Sequence, residues 1–194
     1  VGLTGPTGSG KSLVCDFLCE NGFVRIDADK VAREVVEKGS PALSQLVKKF
    51  SDEILNTDGT LNRKKLAQIA FSSSENTKAL NEITHPFIIE RVKSRISDYK
   101  NSGHTRIVYD APLLFESGTD ALCDKVVAVV ADLDVRKKRI MRRDNLTELE
   151  VEKRVNAQHD DSFYTEKADF VILNNSNTID LSEKVAAVLF ELTR

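Results

Sequence analysis

The chain has only three cysteines, an odd number in no metal-binding spacing. Neither a disulfide framework nor a cysteine metal site therefore organises it, and a reducing cytoplasm is the expected compartment. No apolar run approaches the ~18 residues of a membrane span. No charged-then-apolar leader with a small-residue cleavage site opens the sequence. A basic excess is missing too. Lys and Arg number 28 against 30 Asp and Glu, a formal net charge of −2, which argues against a general nucleic-acid binder. Internal repeats and low-complexity segments are absent. What is present is 194 residues, 41% hydrophobic and 30% charged. That suffices for a core without staples and is too apolar for a disordered chain. The length fits one large domain, or one domain carrying an insertion.

Val1-Gly2-Leu3-Thr4 reads as the end of a buried strand, so residues upstream of Val1 are expected. Leu13, Val14, Phe17 and Leu18 then fall at helical spacing, and Asn21-Gly22 stops that helix. Phe23 to Ile26 is a second short apolar strand, running into Asp27-Ala28-Asp29. Helices are predicted over Val31 to Glu37, Pro41 to Phe50, Arg63 to Phe71, Glu75 to about Thr84, and Phe87 to Tyr99, with Ser72 and Glu75 at capping-box spacing. Strands follow at Arg106 to Tyr109 and Lys125 to Val130. A basic helix is predicted over Val135 to Arg143, and Thr147 with Glu150 forms a second capping-box spacing before a helix reaching Gln158. Phe170 to Leu173 is a fifth strand and Ile179 to Thr193 a last amphipathic helix. Short apolar strands alternating with helices predict a parallel α/β sheet. The helical stretch between the second and third strands is far longer than one crossover needs, and reads as an inserted subdomain.

Gly5-Pro6-Thr7-Gly8-Ser9-Gly10-Lys11-Ser12 fits G-x-x-x-x-G-K-S/T, with a strand before it and a helix after it. Glycines let the backbone curl so that successive N–H groups point at phosphate oxygens, and the helix adds its positive N-terminal end. Lys11 can reach the β- and γ-phosphates, and the Ser12 hydroxyl can ligate Mg²⁺. The motif points to a nucleoside triphosphate without choosing among kinase, GTPase and ATPase.

Asp27 and Asp29 close the second strand at the edge where parallel sheets bind ligands. A carboxylate there can accept a proton from an attacking hydroxyl or hold Mg²⁺ through water. Asp29 is equally suited to capping the next helix, and spacing alone does not separate the two acids. Asp110 ends the third strand, a place where an acid serves either the metal or a turn. Arg136, Lys137, Lys138, Arg139, Arg142 and Arg143 crowd into eight positions. Arg136, Arg139 and Arg143 share a helix face, which suits a phosphate clamp for some of them and solvation for the rest. Cys15 and Cys19, one turn apart, read as core residues because C-x-x-x-C on a helix is poor disulfide geometry. His85, before Pro86 at a predicted helix break, reads as structural by itself.

Taken together, the motifs are specific. The phosphate loop, Asp27-Ala28-Asp29, Gly39-Ser40-Pro41-Ala42, Asp58-Gly59 with Leu61-Asn62-Arg63, and Ile83-Thr84-His85-Pro86 follow one another in order. Asp110 with Pro112-Leu113-Leu114-Phe115-Glu116, Lys138-Arg139, Arg143-Asp144, Gln158, and Ala168-Asp169 with Val171-Ile172 and Asn174 complete the set. Over essentially its whole length the sequence resembles the dephospho-CoA kinases.

That resemblance implies a P-loop nucleoside monophosphate kinase fold with a five-stranded parallel sheet in order 2-3-1-4-5. It implies a nucleotide-binding core of residues 1–29, 104–134 and 166–194, a helical acceptor-side subdomain of 30–103 and a lid of 135–165. The implied reaction is phosphorylation of the ribose 3′-hydroxyl of dephospho-CoA by ATP with Mg²⁺, the last step of coenzyme A synthesis. Catalytic roles would fall to Asp29 as general base, Lys11 and Arg139. Gly8, Ser9, Gly10, Lys11, Ser12, Leu13, Arg143 and Asn174 would hold the nucleotide, with Asn174 near the adenine. Asp29, Arg63, His85 and Leu114 would face the acceptor, and Ser12 and Asp110 the metal. Two departures stand out: Leu13 replaces a frequent Thr, and Pro6-Thr7 replaces a small or aliphatic pair. The rival readings are a kinase for another small acceptor and a nucleotide switch. Against the switch, the Asn-Lys-x-Asp guanine-reading segment is absent.

Overall fold

A computed structural model of the chain describes residues 1–175 and 178–192. The chain divides into two compact units: one made of Val1–Ile26 with Tyr99–Arg194, the other of Asp27–Asp98.

The first unit is built on a five-stranded sheet of β1 (Gly2–Thr4), β2 (Val24–Asp27), β3 (Ile107–Asp110), β4 (Val126–Val130) and β5 (Phe170–Leu173). Its order is β2-β3-β1-β4-β5, as expected. β1 lies parallel to both β3 and β4, with Leu3 opposite Asp110 on one side and Val127 on the other. β4 reads Val-Val-Ala-Val-Val and is buried at every position, the signature of a central strand covered on both faces. Leu3, Val127 and Val129 pack with Val14, Cys15 and Leu18 of α1 (Lys11–Glu20) and with Leu181 and Val185 of α9 (Thr178–Leu192). Thr193, the predicted end of that last helix, lies outside the described residues.

β2 begins one residue later than predicted. Phe23 donates its backbone N–H to the Leu18 carbonyl (3.1 Å) and so belongs to the turn that ends α1, while its ring joins the core. Between β4 and β5 come α6 (Leu133–Asp144), α7 (Glu148–Asn156) and α8 (Asp161–Thr165). The Thr147–Glu150 capping box before α7 is formed in both directions.

The second unit is helical: α2 (Ala28–Glu34), α3 (Pro41–Phe50), α4 (Arg63–Ala70) and most of α5 (Ser74–Asn101). Its core gathers Val36, Ala42, Leu46, Phe50, Ile54, Leu66 and Ala70, with Ile83 and Phe87 packed on it. Caps set the starts. Ser40 accepts from the Leu43 N–H with Pro41 at the first helical position, and Asn62 accepts from Lys65.

Two expectations need correction. α5 is continuous over 28 residues with Pro86 inside it, not broken at His85-Pro86. A mid-helix proline costs ~3 kcal/mol, but Ile83 and Phe87 flank it and both pack on the helical core. The helix keeps its course because burial on each side outweighs the local penalty. The Ser72–Glu75 capping box does not form either. Ser73 caps α5 by accepting from the Asn76 N–H (3.1 Å), and the Ser72 hydroxyl donates to the Ile69 carbonyl at the end of α4.

Candidate active site

The phosphate loop leaves β1 at Gly5 and enters α1 at Lys11, so backbone N–H groups gather at the helix N-terminus where an anion is favoured. Two glycines show why the motif needs them. A Cβ on Gly5 would sit 2.1 Å from the Val129 carbonyl oxygen of β4. One on Gly10, which caps α1 in the left-handed region at φ 93°, would sit 2.1 Å from Nδ2 of Asn174.

Distant side chains brace the loop from outside. Asn174, buried just after β5, donates Nδ2–H to the Ser9 carbonyl (2.7 Å). Arg139 Nη1 reaches the carbonyls of Ser9 (3.4 Å) and Asn174 (2.9 Å). The Thr7 peptide is held on both sides: its N–H by Gln158 Oε1 (3.1 Å) and its carbonyl by Arg136 Nε (3.0 Å). Arg136 is itself buried and also reaches Gln158 Oε1 and Asp161 Oδ1. Gly8, Ser9, Gly10, Lys11 and Arg139 are thus brought together with Asn174. Ser12 and Leu13 are exposed on the first turn of α1.

The predicted shared face of three arginines splits. Arg136 and Arg139 serve the loop. Arg143 pairs with Asp144 (2.7 Å), which Arg154 also engages (2.6 Å). Arg143's hydrogen bond and charge, joined by Arg154, hold the Asp144 carboxyl down to about 2. Lys137 pairs with Glu152 of α7.

Asp110 is 3% exposed, and both its carboxylate oxygens carry a cation: Lys11 on Oδ1 and Arg25 of β2 on Oδ2. Sequence reasoning missed Arg25. The signal was a charge inside an otherwise apolar strand. Cys15, buried on α1, has its thiol pushed up to about 12 by desolvation, with the Asp110 charge adding to the shift and Arg25 opposing it. Burial likewise raises the Cys123 thiol to about 11. The chemistry of Mg²⁺ asks for a hydroxyl or carboxylate beside nucleotide phosphates. Ser12 fits that demand directly. Asp110 fits it through its charge, since its oxygens are already engaged.

In the helical unit the capping alternative is decided. Asp27 caps α2, accepting from the Lys30 N–H (3.0 Å), while Asp29 stands in the first turn, exposed, with no hydrogen bond or ion pair among the described residues. Arg63 is exposed and donates to the Arg33 carbonyl (3.2 Å). His85 is half-buried and borders a shallow cavity of about 560 Å³ with Thr77, Lys78 and Glu82. No hydrogen bond or ion pair joins Asp29, Arg63 and His85. Leu114 is a correction: it is fully buried, so close to Gly2 that a Cβ there would meet its Cδ2 at 2.8 Å. Its side chain is core and cannot face the acceptor, whereas its neighbour Leu113 is 63% exposed.

A profile described as dephospho-CoA kinase matches residues 1–180. A dephospho-CoA kinase of Corynebacterium efficiens is 44% identical over 99% of this chain and 96% of its own length. The chain belongs to the dephospho-CoA kinase family. Similar solved structures include the following two. One is a protein of Thermus thermophilus at 31% identity and TM-score 0.83, covering 100% of this chain and 97% of that one. The other is a dephospho-CoA kinase of Campylobacter jejuni at 29% identity and TM-score 0.73, covering 98% and 95%. Membership of the dephospho-CoA kinases makes the chain a P-loop kinase that uses ATP, with a small-molecule substrate. Among the described residues no helix is long and apolar enough to cross a membrane.

Proposed function

We propose that this chain transfers the γ-phosphoryl group of ATP to the ribose 3′-hydroxyl of dephospho-CoA, giving coenzyme A and ADP in the last step of coenzyme A synthesis, in the cytoplasm. The observation that carries the reading is the braced phosphate loop, with Lys11 at the start of α1, in a member of this family. Neither a different small acceptor nor a nucleotide switch is favoured by any feature of the site.

The residue roles rest on the family resemblance together with the chemistry of each group. The loop amides and the N-terminus of α1 hold the phosphates. Lys11 supplies positive charge as it builds up on the transferring group. Asp29, with no partner of its own, is available to take the proton of the acceptor hydroxyl. Arg139 adds charge beside the loop while fixing Ser9 and Asn174. Arg143 belongs to the lid of residues 135–165 and meets the nucleotide by exchanging Asp144 for phosphate. Arg63 and His85 serve the acceptor. Ser12, together with nucleotide oxygens, would hold Mg²⁺, with Asp110 contributing its field; the ion, when bound, neutralises phosphate charge.

The test is a transfer assay with ATP, Mg²⁺ and dephospho-CoA, with AMP and adenosine as control acceptors. Phosphorylation of dephospho-CoA alone is expected. Preferred phosphorylation of AMP, or ATP turnover indifferent to dephospho-CoA, would overturn the assignment.

A further inference from the structure

Asp110 sits between Lys11 and Arg25, and the three groups do not have equal freedom. The carboxylate is buried at 3% exposure, on the last residue of β3. Lys11 is 14% exposed and Arg25 36% exposed. Under the phosphate-loop reading, on which this inference rests, Lys11 must turn its ammonium to the nucleotide phosphates. An Asp110 left with no other cation would then be an uncompensated charge in the protein interior, a costly state. The resting pair would hold Lys11 back, and nucleotide binding would have to supply the energy to break it.

Arg25 removes that conflict. Its guanidinium already occupies Oδ2, the oxygen that Lys11 does not use. It can stay there when Lys11 leaves Oδ1, because the two cations approach separate lone pairs. Cys15, buried on α1, feels both Asp110 and Arg25. Beyond the upward push of burial, Asp110 raises its thiol further and Arg25 lowers it.

We propose that Arg25 is a positioning residue: the standing counter-ion of Asp110, whose presence frees Lys11 for the nucleotide. Arg25 touches no phosphate in this scheme. It acts on affinity through Asp110, and that sets it apart from a clamp arginine.

The experiment is a double-mutant cycle on the full chain. Kd for a non-hydrolysable ATP analogue is measured by calorimetry in the absence of Mg²⁺, with thermal melting as the check on folding. Arg25→Gln is expected to weaken nucleotide binding about tenfold, within the range of ordinary coupling energies. Arg25→Lys should restore most of the affinity. KM for dephospho-CoA should shift far less than Kd for the nucleotide. In an Asp110→Asn background the Arg25→Gln change should have almost no further effect, since no buried charge remains to be balanced. An unchanged Kd in a folded Arg25→Gln protein would overturn the proposal. So would an equal loss with and without the Asp110 charge, which would mean Arg25 acts on the ligand directly. Lys11→Ala in the same assay separates the underlying reading. If it too binds nucleotide normally, the phosphate-loop assignment fails. If it is impaired while Arg25→Gln is not, only the counter-ion role fails.

Discussion

The sheet unit and the helical unit hold their functional residues in opposite ways. Around the phosphate loop several backbone and side-chain groups are held from outside, although the buried Ser9 hydroxyl has no partner among the described residues. Thr7 is gripped at both its N–H and its carbonyl, Ser9 by Asn174 and Arg139, and Asp110 by two cations. In the helical unit, Asp29 and Arg63 stand exposed on their helices, and the core is an apolar cluster that includes neither. On the proposed reading the nucleotide side would work through a pre-shaped backbone, where electrostatic preorganisation has already met its cost on folding. The proposed acceptor side would work through single side chains on packed helices. Damage should read accordingly: to the phosphate machinery in one unit, and to one chemical step or one ligand in the other.

The sharpest way to break that contrast is to compare Asp29→Asn with Lys11→Ala. Asp29→Asn should lower kcat by ~10²–10⁴-fold, the usual worth of a positioned general base, while nucleotide Kd stays nearly constant. Asp27→Asn should be mild, because asparagine caps a helix as well as aspartate does. If Asp27→Asn were the crippled variant, the roles would be reversed. Lys11→Ala should cost ~10²–10³-fold in kcat and weaken ATP binding as well, without lowering the melting temperature appreciably.

Next in size is a comparison among cations. Arg139→Ala should reduce kcat by ~10²-fold, since it removes both a charge and a brace on the loop. Arg63→Ala should instead raise KM for dephospho-CoA about tenfold with KM for ATP unmoved, the loss of one charge-assisted contact. Lys137→Ala should be close to neutral, as expected for a partly exposed ion pair. Steady-state kinetics on the three variants would decide, and equal losses would mean a diffuse positive surface.

Leu46→Ala tests the helical unit's dependence on packing. Leu46 is fully buried, and truncation should cost ~2–5 kcal/mol in a denaturant melt. Nucleotide Kd in the remaining folded protein should stay within about twofold of wild type, because a core truncation removes no ligand contact. A large loss of nucleotide affinity would show that the helical core also shapes the loop.

The smallest effect concerns pH. The Asp144 carboxyl is held down to about 2 by Arg143 and Arg154. A depressed carboxylate stabilises the fold above its unfolded value near 4 and loses that contribution as pH falls toward 2. Melting curves of wild type and Asp144→Asn should therefore differ slightly at pH 6 and converge between pH 4 and pH 2. A gap that did not narrow would mean the pair contributes nothing.

Much of this was readable in the residues. Apolar runs marked five strands, and the resemblance supplied their order. β4 is legible because a run of β-branched residues has only one good place, inside a sheet. The phosphate loop is legible because close backbone approach tolerates little but glycine. The misses share a cause. Pro86 signals a break locally, but the packing of Ile83 and Phe87 that overrides it comes from other helices. Ser72 and Ser73 are equivalent caps in sequence, and only the end of α4 chooses between them. Leu113 and Leu114 look alike until the neighbouring Gly2 shows which one is inside. Arg25 needed its partner, Asp110, 85 positions away.

Strand order also carries a consequence for how the chain is made. β1 emerges first, yet its two neighbours are β3 and β4, which start at Ile107 and Val126. Until the ribosome has passed that point, the first strand and the loop after it have no edge to join. Residues Asp27–Asp98, by contrast, form a contiguous unit of their own whose contacts are close in sequence, the kind that form quickly. The helical unit should thus be structured on the nascent chain while the catalytic loop is still waiting. The long delay between β1 and its partners leaves Gly2–Thr4 and its apolar neighbours as the segment a chaperone would meet.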